Sequence, residues 1–373
     1  MKTTLQRPFN FSAGPGTIPM EVLHIIREEV FERAGAGVGV MEMSHRSKEF
    51  TSIYQSAQKR FRDCLGVPEH FKILFMQGGG IAQNAIVPMN FASQGRIDFL
   101  VTGHWSEKSC EEARKYATDV RVVASSKERN YNGIPEPSTW KLNEAADYVH
   151  ICSNETVQGV QFEELPDIST LGSNAPLIVD CSSDLGSRPI DWSRTGAVFA
   201  AAQKNLGIAG LTIVVVREDL LGHALPVCPS AFNYAVVNAN DSMYNTPPTW
   251  AIYVADLMLA WMQEQQEGAL TGVAALEVRN RRKAEKLYRA IDESDLYSNN
   301  VERRFRSSMN VPFVLVDAEL DAKFLAAARE NNLLQLKGHK SVGGMRASLY
   351  NGMTEVGVDS LVDFLKEFER TRG

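Results

Sequence analysis

The sequence is poor in cysteine and gives its cysteines no recognisable task. Cys64, Cys110, Cys152, Cys181 and Cys228 are odd in number, scattered, and nowhere in a C-x-x-C pair. Neither a disulfide framework nor a metal site is therefore expected, and a reducing cytoplasm is the best-fitting location. No uninterrupted apolar run reaches the ~18 residues of a membrane span. The start of the chain is polar, contains Pro8 and Pro15, and lacks the apolar stretch of a secretory signal. An excess of positive charge is also missing. With 39 Lys and Arg against 45 Asp and Glu the net charge is −6, which disfavours nucleic acid and anionic membranes as partners. Internal repeats and low-complexity tracts are absent.

What is present reads as a folded chain. Apolar residues make up 44% and charged residues 23% of 373 residues, and that length predicts a large domain plus a smaller one, with a cleft between them. Aliphatic, β-branched runs at 71–77, 96–103, 119–125, 148–154, 176–182, 197–203 and 211–218 read as strands. Several, such as PLIVDC and LTIVVV, are nearly continuously apolar, as in a mainly parallel sheet covered on both faces. Helical stretches such as 106–117 separate several of them, so the class is α/β. One connection differs: only KNLGIAG lies between 197–203 and 211–218. It is too short for a parallel crossover, so that pair is expected to be an antiparallel hairpin.

From 249 to about 294 the chain reads as helical, interrupted near Gly268 and Gly272, and bridges the two domains. A strand at 310–316, a helix from about 320 to 331, a strand pair around 333–337 and 344–350 and a final amphipathic helix complete a small α/β domain.

Several residues could carry chemistry. Lys204 sits where a strand gives way to a Gly-rich turn, at the strand ends where open α/β sheets bind ligands. Burial there would favour the neutral amine that attacks carbonyls; a solvated turn lysine is the plain alternative. Asp180 ends PLIVD near the same crevice and could pair with a protonated pyridine nitrogen, or simply cap a turn beside Ser182 and Ser183. Gly78-Gly79-Gly80 follows a strand and precedes a helical stretch at 81–90, which suits phosphate binding by backbone N–H groups or a flexible turn. Trp105 could stack on a planar ring or merely pack. Two polar clusters, Ser44-His45-Arg46 and His339-Lys340 with Arg346, could form an anion pocket or two exposed loops.

The chain resembles the phosphoserine aminotransferases, in the class-V, fold-type I family of aminotransferases that use pyridoxal 5'-phosphate. The resemblance runs over essentially the whole chain. FNFSAGPG at 9–16, MSHR at 43–46, the glycines at 78–80 and SNET at 153–156 carry it, followed by AQKN at 202–205, NTPPTW at 245–250 and GHKSVGGMRASLYN at 338–351. It implies that Lys204 carries the cofactor covalently, that Asp180 contacts its ring nitrogen, that Trp105 stacks on its ring and that Thr156 lies beside its phenolic oxygen. The cofactor phosphate would be held by the backbone of Gly80 and Ile81, by Ser182 or Gln203, and by Asn245 and Thr246 from a second subunit, making the protein a homodimer with shared sites. Arg346 would take the substrate α-carboxylate, with His339 and Lys340 near the substrate phosphate and His45 and Arg46 arriving from the partner. The expected division is 17–261 for the large cofactor-binding domain and 1–16 with 262–373 for the small one.

The activity implied is transfer of the amino group of L-glutamate to 3-phosphohydroxypyruvate in serine biosynthesis. A second acceptor, 3-hydroxy-2-oxo-4-phosphooxybutanoate, would place the chain in pyridoxine biosynthesis too. Two positions depart from some members of the family: Ile81 and Lys340 stand where those carry Arg, which removes one anion contact and one planar fork. The alternatives are other class-V chemistry, such as serine–glyoxylate transamination or cysteine desulfuration, and a noncatalytic protein that binds a phosphorylated metabolite.

Overall fold

Strands that are apolar at consecutive positions need cover on both faces, and the sheet of this protein has it. In the computed structural model, which describes residues 7–33 and 35–372, seven strands form one sheet: β1 (Phe71–Met76), β2 (Arg96–Val101), β3 (Asp119–Ser125), β4 (Tyr148–Cys152), β5 (Leu177–Asp180), β6 (Ala197–Ala201) and β7 (Thr212–Arg217). Residues 1–6, assigned above to the small domain, lie outside the described residues, as does residue 373. The order across the sheet is β1-β7-β6-β5-β4-β2-β3. Only β7 runs antiparallel to its neighbours, pairing Thr212 with Ala201 on one side and with Met76 on the other. The hairpin inferred from the short KNLGIAG connection is the one observed.

Alternate side chains feed two cores. Ile73, Phe75, Val149, Ile151, Val179, Val198 and Ile213 belong to a core with helices α1 (Met20–Glu29), α2 (Lys48–Leu65) and α6 (Thr249–Gln263). Leu74, Met76, Phe99, Tyr148, Ile178, Phe199 and Val214 belong to one with α3 (Gly79–Phe91), α4 (His104–Ala113) and α5 (Tyr234–Ala239). A third core joins α7 (Gly272–Asp292), α8 (Asp321–Glu330) and α9 (Glu355–Arg372) to a sheet of β8 (Tyr297–Ser298), β9 (Asn310–Leu315) and β10 (Met345–Ser348), and Phe11 from the start of the chain belongs to it. The helical stretch expected over 249–294 divides at the short hairpin Gln266–Glu267/Leu270–Thr271, around Gly268. Helix α7 then places Val273 and Leu276 in the sheet core and Leu287 and Ile291 in the C-terminal one. Among the described residues no helix is long and apolar enough to cross a membrane.

One expectation is corrected. The segments at 333–337 and 344–350 do not pair as two strands. Leu333–Leu334 instead runs parallel to Phe9–Asn10, and β10 pairs antiparallel with β9. Only Lys337 and Met345 meet, in an isolated bridge. The cause is local: Gln335 has φ +63, a left-handed conformation that ends an extended strand after two residues.

His150, in the middle of β4, shows what such a sheet does to a titratable group. Its ring lies 4.8 Å from that of Phe99 and 6.2 Å from that of Phe199, and burial pushes its pKa down to about 3 from 6.5. The unfolded chain therefore binds a proton that the folded protein refuses, and stability falls as pH drops through 6.5. We expect His150→Leu to remove this dependence. Wild type should lose roughly 2 kcal/mol relative to the variant between pH 7 and pH 5, measured by urea denaturation; a constant difference between the two proteins would refute it.

Candidate active site

Strands β1, β2, β4, β5 and β6 all point their carboxyl ends to one edge of the sheet. Whatever follows each strand must emerge there, so five connections converge. Between them is a cavity of about 240 Å³, lined among others by Gly80, Ile81, Trp105, Thr156, Asp180, Ser182, Gln203, Lys204, His339 and Arg346. Residues placed far apart in the sequence as candidates thus share one wall or another of a single hollow.

At its centre stands Lys204. The turn after β6 is held by the Leu206 N–H donating to Ala202 O at 3.0 Å, and the Gly16 N–H, from the N-terminal loop, donates to Gln203 O at 2.7 Å. The Lys204 ammonium donates to Thr156 Oγ1 at 2.8 Å. Part of its side chain faces the cavity, but the amine is surrounded by protein. Burial pushes its pKa below the usual lysine value, and the Asp180 carboxylate partly opposes that. Burial likewise pushes Asp180 above the usual carboxylate range, against the Ser182 hydrogen bonds and the Lys204 charge. Each charge thus favours the ionised form of the other and offsets part of the shift that burial imposes.

Burial alone does not make a lysine reactive. Lys283, on α7, is fully buried and its pKa falls to about 7. It spends its three N–H bonds on the carbonyls of Leu349, Tyr350 and Met353, at 2.9, 3.0 and 2.9 Å. Lys204 has a cavity in front of it; Lys283 has a cage.

The glycine run supplies an anion site. Gly78, at φ +98, takes a conformation that a Cβ would resist, and this lets α3 begin at Gly79 immediately beyond β1. The Gly79 N–H donates to Thr212 Oγ1 at 2.7 Å. The amides of Gly80 and Ile81, in the first turn, have no intrahelical acceptor and face the positive end of the helix dipole. Ser182 Oγ accepts from the Ala201 amide at 3.3 Å, and the Ser182 backbone amide donates to Asp180 Oδ1 at 2.8 Å.

Trp105 lies on the opposite side, at the start of α4, with its indole Nε1 buried and without a partner among the described residues. What holds it was not foreseen. The carboxylate of Glu155, fully buried, accepts from Trp105 N at 2.9 Å, Ser106 N at 2.9 Å and Ser106 Oγ at 2.6 Å. Gly103 makes room for it: a Cβ there would lie 2.5 Å from Glu155 Cδ. The residue lies inside the SNET motif that pointed to Thr156, but nothing in the motif indicates a helix terminus some fifty residues away.

Arg346 Nη1 donates to Thr156 O at 3.2 Å, and the side chain lines the cavity. Lys340 is exposed, one residue beyond His339. His45 and Arg46 do not line the cavity of this chain. Asn245 and Thr246 do not either; they lie exposed at the end of β1, where Asn245 Nδ2 donates to Gln77 Oε1 at 3.4 Å and Gln77 Nε2 donates to Thr246 O at 3.2 Å.

Burial raises the Glu155 pKa from 4.5 to about 7, against the bonds from Ser106 and Trp105. Between those values the folded protein keeps a proton that the unfolded chain has released, so this group's contribution falls as pH rises through the window. Glu155→Gln should abolish that trend, so that wild type loses roughly 1–3 kcal/mol relative to the variant from pH 4.5 to pH 7.5. Parallel stability curves would contradict it.

The family model described as "Aminotransferase class-V" matches residues 8–361. A phosphoserine aminotransferase from Delftia acidovorans is 58% identical over 366 residues, covering 98% of this chain and 99% of its own. Of the solved structures, a phosphoserine aminotransferase from Bacillus circulans subsp. alkalophilus matches with a TM-score of 0.93 at 40% identity, over 99% of this chain and 100% of that one. A phosphoserine aminotransferase from Trichomonas vaginalis with bound PLP matches with a TM-score of 0.90 at 41% identity, over 96% of this chain and 100% of that one.

Proposed function

The chain belongs to the class-V aminotransferase family, and we propose that it transfers the amino group of L-glutamate to 3-phosphohydroxypyruvate, giving O-phospho-L-serine and 2-oxoglutarate in serine biosynthesis. Its fold is the fold-type I architecture expected from the resemblance. The observation that carries the reading is the pairing of Lys204, whose pKa burial lowers, with Asp180 in one cavity that Arg346 and His339 also line.

Pyridoxal 5'-phosphate fits these residues. A buried indole N–H without a partner, a first helical turn with unspent amides, an amine of lowered pKa and a buried carboxylate are the donors and acceptors that a phosphorylated, aldehyde-bearing pyridine requires. Lys204 would join it covalently, Asp180 would hold a proton on its ring nitrogen, Trp105 would cover its ring and Thr156 would face its phenolic oxygen. Gly80, Ile81, Ser182 and Gln203 would take its phosphate. Bound there, the cofactor supplies an electron sink for the pair left when a substrate loses its α-proton.

The rest of the work falls to the chain. Arg346 binds the α-carboxylate and fixes the amino acid's orientation. Lys204 Nζ takes the α-proton as a general base and later returns it as an acid, a role suited to a lowered pKa. His339 and Lys340 receive the substrate phosphate. Asn245, Thr246, His45 and Arg46, outside the cavity of one chain, would complete the site from a partner subunit, so the working form is a homodimer, placed in the cytoplasm. The division at 17–261 against 1–16 with 262–373 belongs to the same proposal. It is supported by Phe11 joining the C-terminal core, although Met262 still packs with the sheet. A second acceptor, 3-hydroxy-2-oxo-4-phosphooxybutanoate, has the same phosphate and 2-oxo acid ends and fits the same reading.

His339 on the cavity wall, with the exposed Lys340 next to it, offers a distal donor site that serine–glyoxylate transamination, whose acceptor has no distal anion, would not use. Desulfuration needs a thiolate on a mobile loop. The only cysteine lining the cavity, Cys152, ends a buried strand, and burial pushes its thiol far above the usual range.

Lys204→Ala should lose the visible absorbance of the reconstituted protein and nearly all turnover; normal turnover by this variant would end the assignment. Arg346→Ala should raise KM roughly tenfold or more for both L-glutamate and O-phospho-L-serine, since both present an α-carboxylate and lose a charged hydrogen bond. An unchanged KM for either amino acid would count against that role.

A further inference from the structure

His104 has no role in the resemblance and is not needed for the chemistry above. It is the first residue of α4, and its backbone N–H donates to Gln158 Oε1 at 3.0 Å. Its ring lies 5.1 Å from that of His339 and 5.0 Å from that of Trp105. Two imidazoles carried by unrelated segments, a helix start and the loop after Lys337, therefore meet between the cavity, which His339 lines, and a second hollow, which His104 lines. His339 Nδ1 accepts from the Ser341 amide at 3.3 Å and lies 2.7 Å from Ser341 Oγ. That leaves Nε2 to carry the hydrogen and present it outward.

The charges around His339 have one sign, whereas those around His104 are mixed. Burial, His104, Arg346 and Lys340 push the His339 pKa down; burial, Lys108 and Lys340 push that of His104 down while Glu107 and Glu111 oppose them. The cations beside His339 are relieved by an anion bound among them. The backbone cannot serve that anion here, because the amides of Trp105 and Ser106 are already taken by Glu155. An anion at this end must be held by side chains.

Resting on the reading given under Proposed function, we infer that His104 contacts the phosphate group of the phosphorylated substrate together with His339, and so helps select phosphorylated over carboxylate-ended amino acids. A phosphate carries more charge and more acceptor oxygens than the γ-carboxylate of glutamate, so the contact favours the former.

The test uses the enzyme reconstituted with pyridoxal 5'-phosphate, as wild type, His104→Ala and His104→Gln. In His104→Ala, KM for O-phospho-L-serine should rise roughly tenfold, and that for L-glutamate by no more than about twofold. Inorganic phosphate, as a competitor of O-phospho-L-serine, should inhibit the variant correspondingly less. His104→Gln, which keeps a neutral donor, should recover part of both effects. An unchanged KM for O-phospho-L-serine, or equal rises for both amino acids in both variants, would overturn the assignment and leave His104 a prop for α4. A wild-type enzyme without turnover of O-phospho-L-serine would overturn the functional reading, and this contact with it.

Discussion

The structure turns on keeping one amine out of water without giving it a full complement of partners. Lys204 has one hydroxyl contact and one carboxylate within electrostatic reach, and faces a cavity. Removing an ammonium from water is costly unless it is fully paired, so this arrangement favours the neutral, nucleophilic form. The comparison with Lys283 gives the point its physical content. Three carbonyls occupy that side chain completely, which makes it a structural strut with no approach for a ligand.

Holding Lys204 in place requires segments from both ends of the chain. Tyr350 Oη donates to Ala13 O at 2.7 Å and accepts from Asn310 Nδ2 at 3.2 Å, tying β9, the end of β10 and the N-terminal loop together beside the lysine turn. Asn205, the next residue after Lys204, accepts from the Asn351 amide at 3.0 Å. The C-terminal core, joined to the sheet core by α7, is thus also fastened to the cavity through buried polar contacts. Buried networks of this kind are satisfied in one arrangement and costly in others, which fixes geometry more than it adds stability. Glu155 works similarly on the opposite wall, setting the start of α4 and with it Trp105 and His104.

Much of this was legible in the sequence for identifiable reasons. Burial on both faces leaves a mark at every position of a strand, so the seven strands were readable from runs such as LTIVVV, and the short link at 204–210 dictated the hairpin. Lys204 and Asp180 were readable because strand ends in such a sheet share one edge. Other features leave no local mark. The two-residue strand Phe9–Asn10 is too short to carry a period, so its pairing with Leu333–Leu334 could not be anticipated and the wrong partner was assigned to that segment. Glu155 is an acid like any other until the fold brings α4 to it, and the His104–His339 contact joins residues more than two hundred positions apart. Thr156 was placed by resemblance alone, and Arg346, legible as part of a possible anion pocket, took its α-carboxylate role only from the resemblance.

The most direct measurement is of where pyridoxal 5'-phosphate attaches. The protein is incubated with the cofactor, reduced with borohydride to make any bond between aldehyde and amine permanent, and mapped by peptide mass spectrometry. The account predicts a single label on Lys204, with Lys283 and the exposed lysines unmodified. A label spread over surface lysines, or an unmodified Lys204, would contradict it.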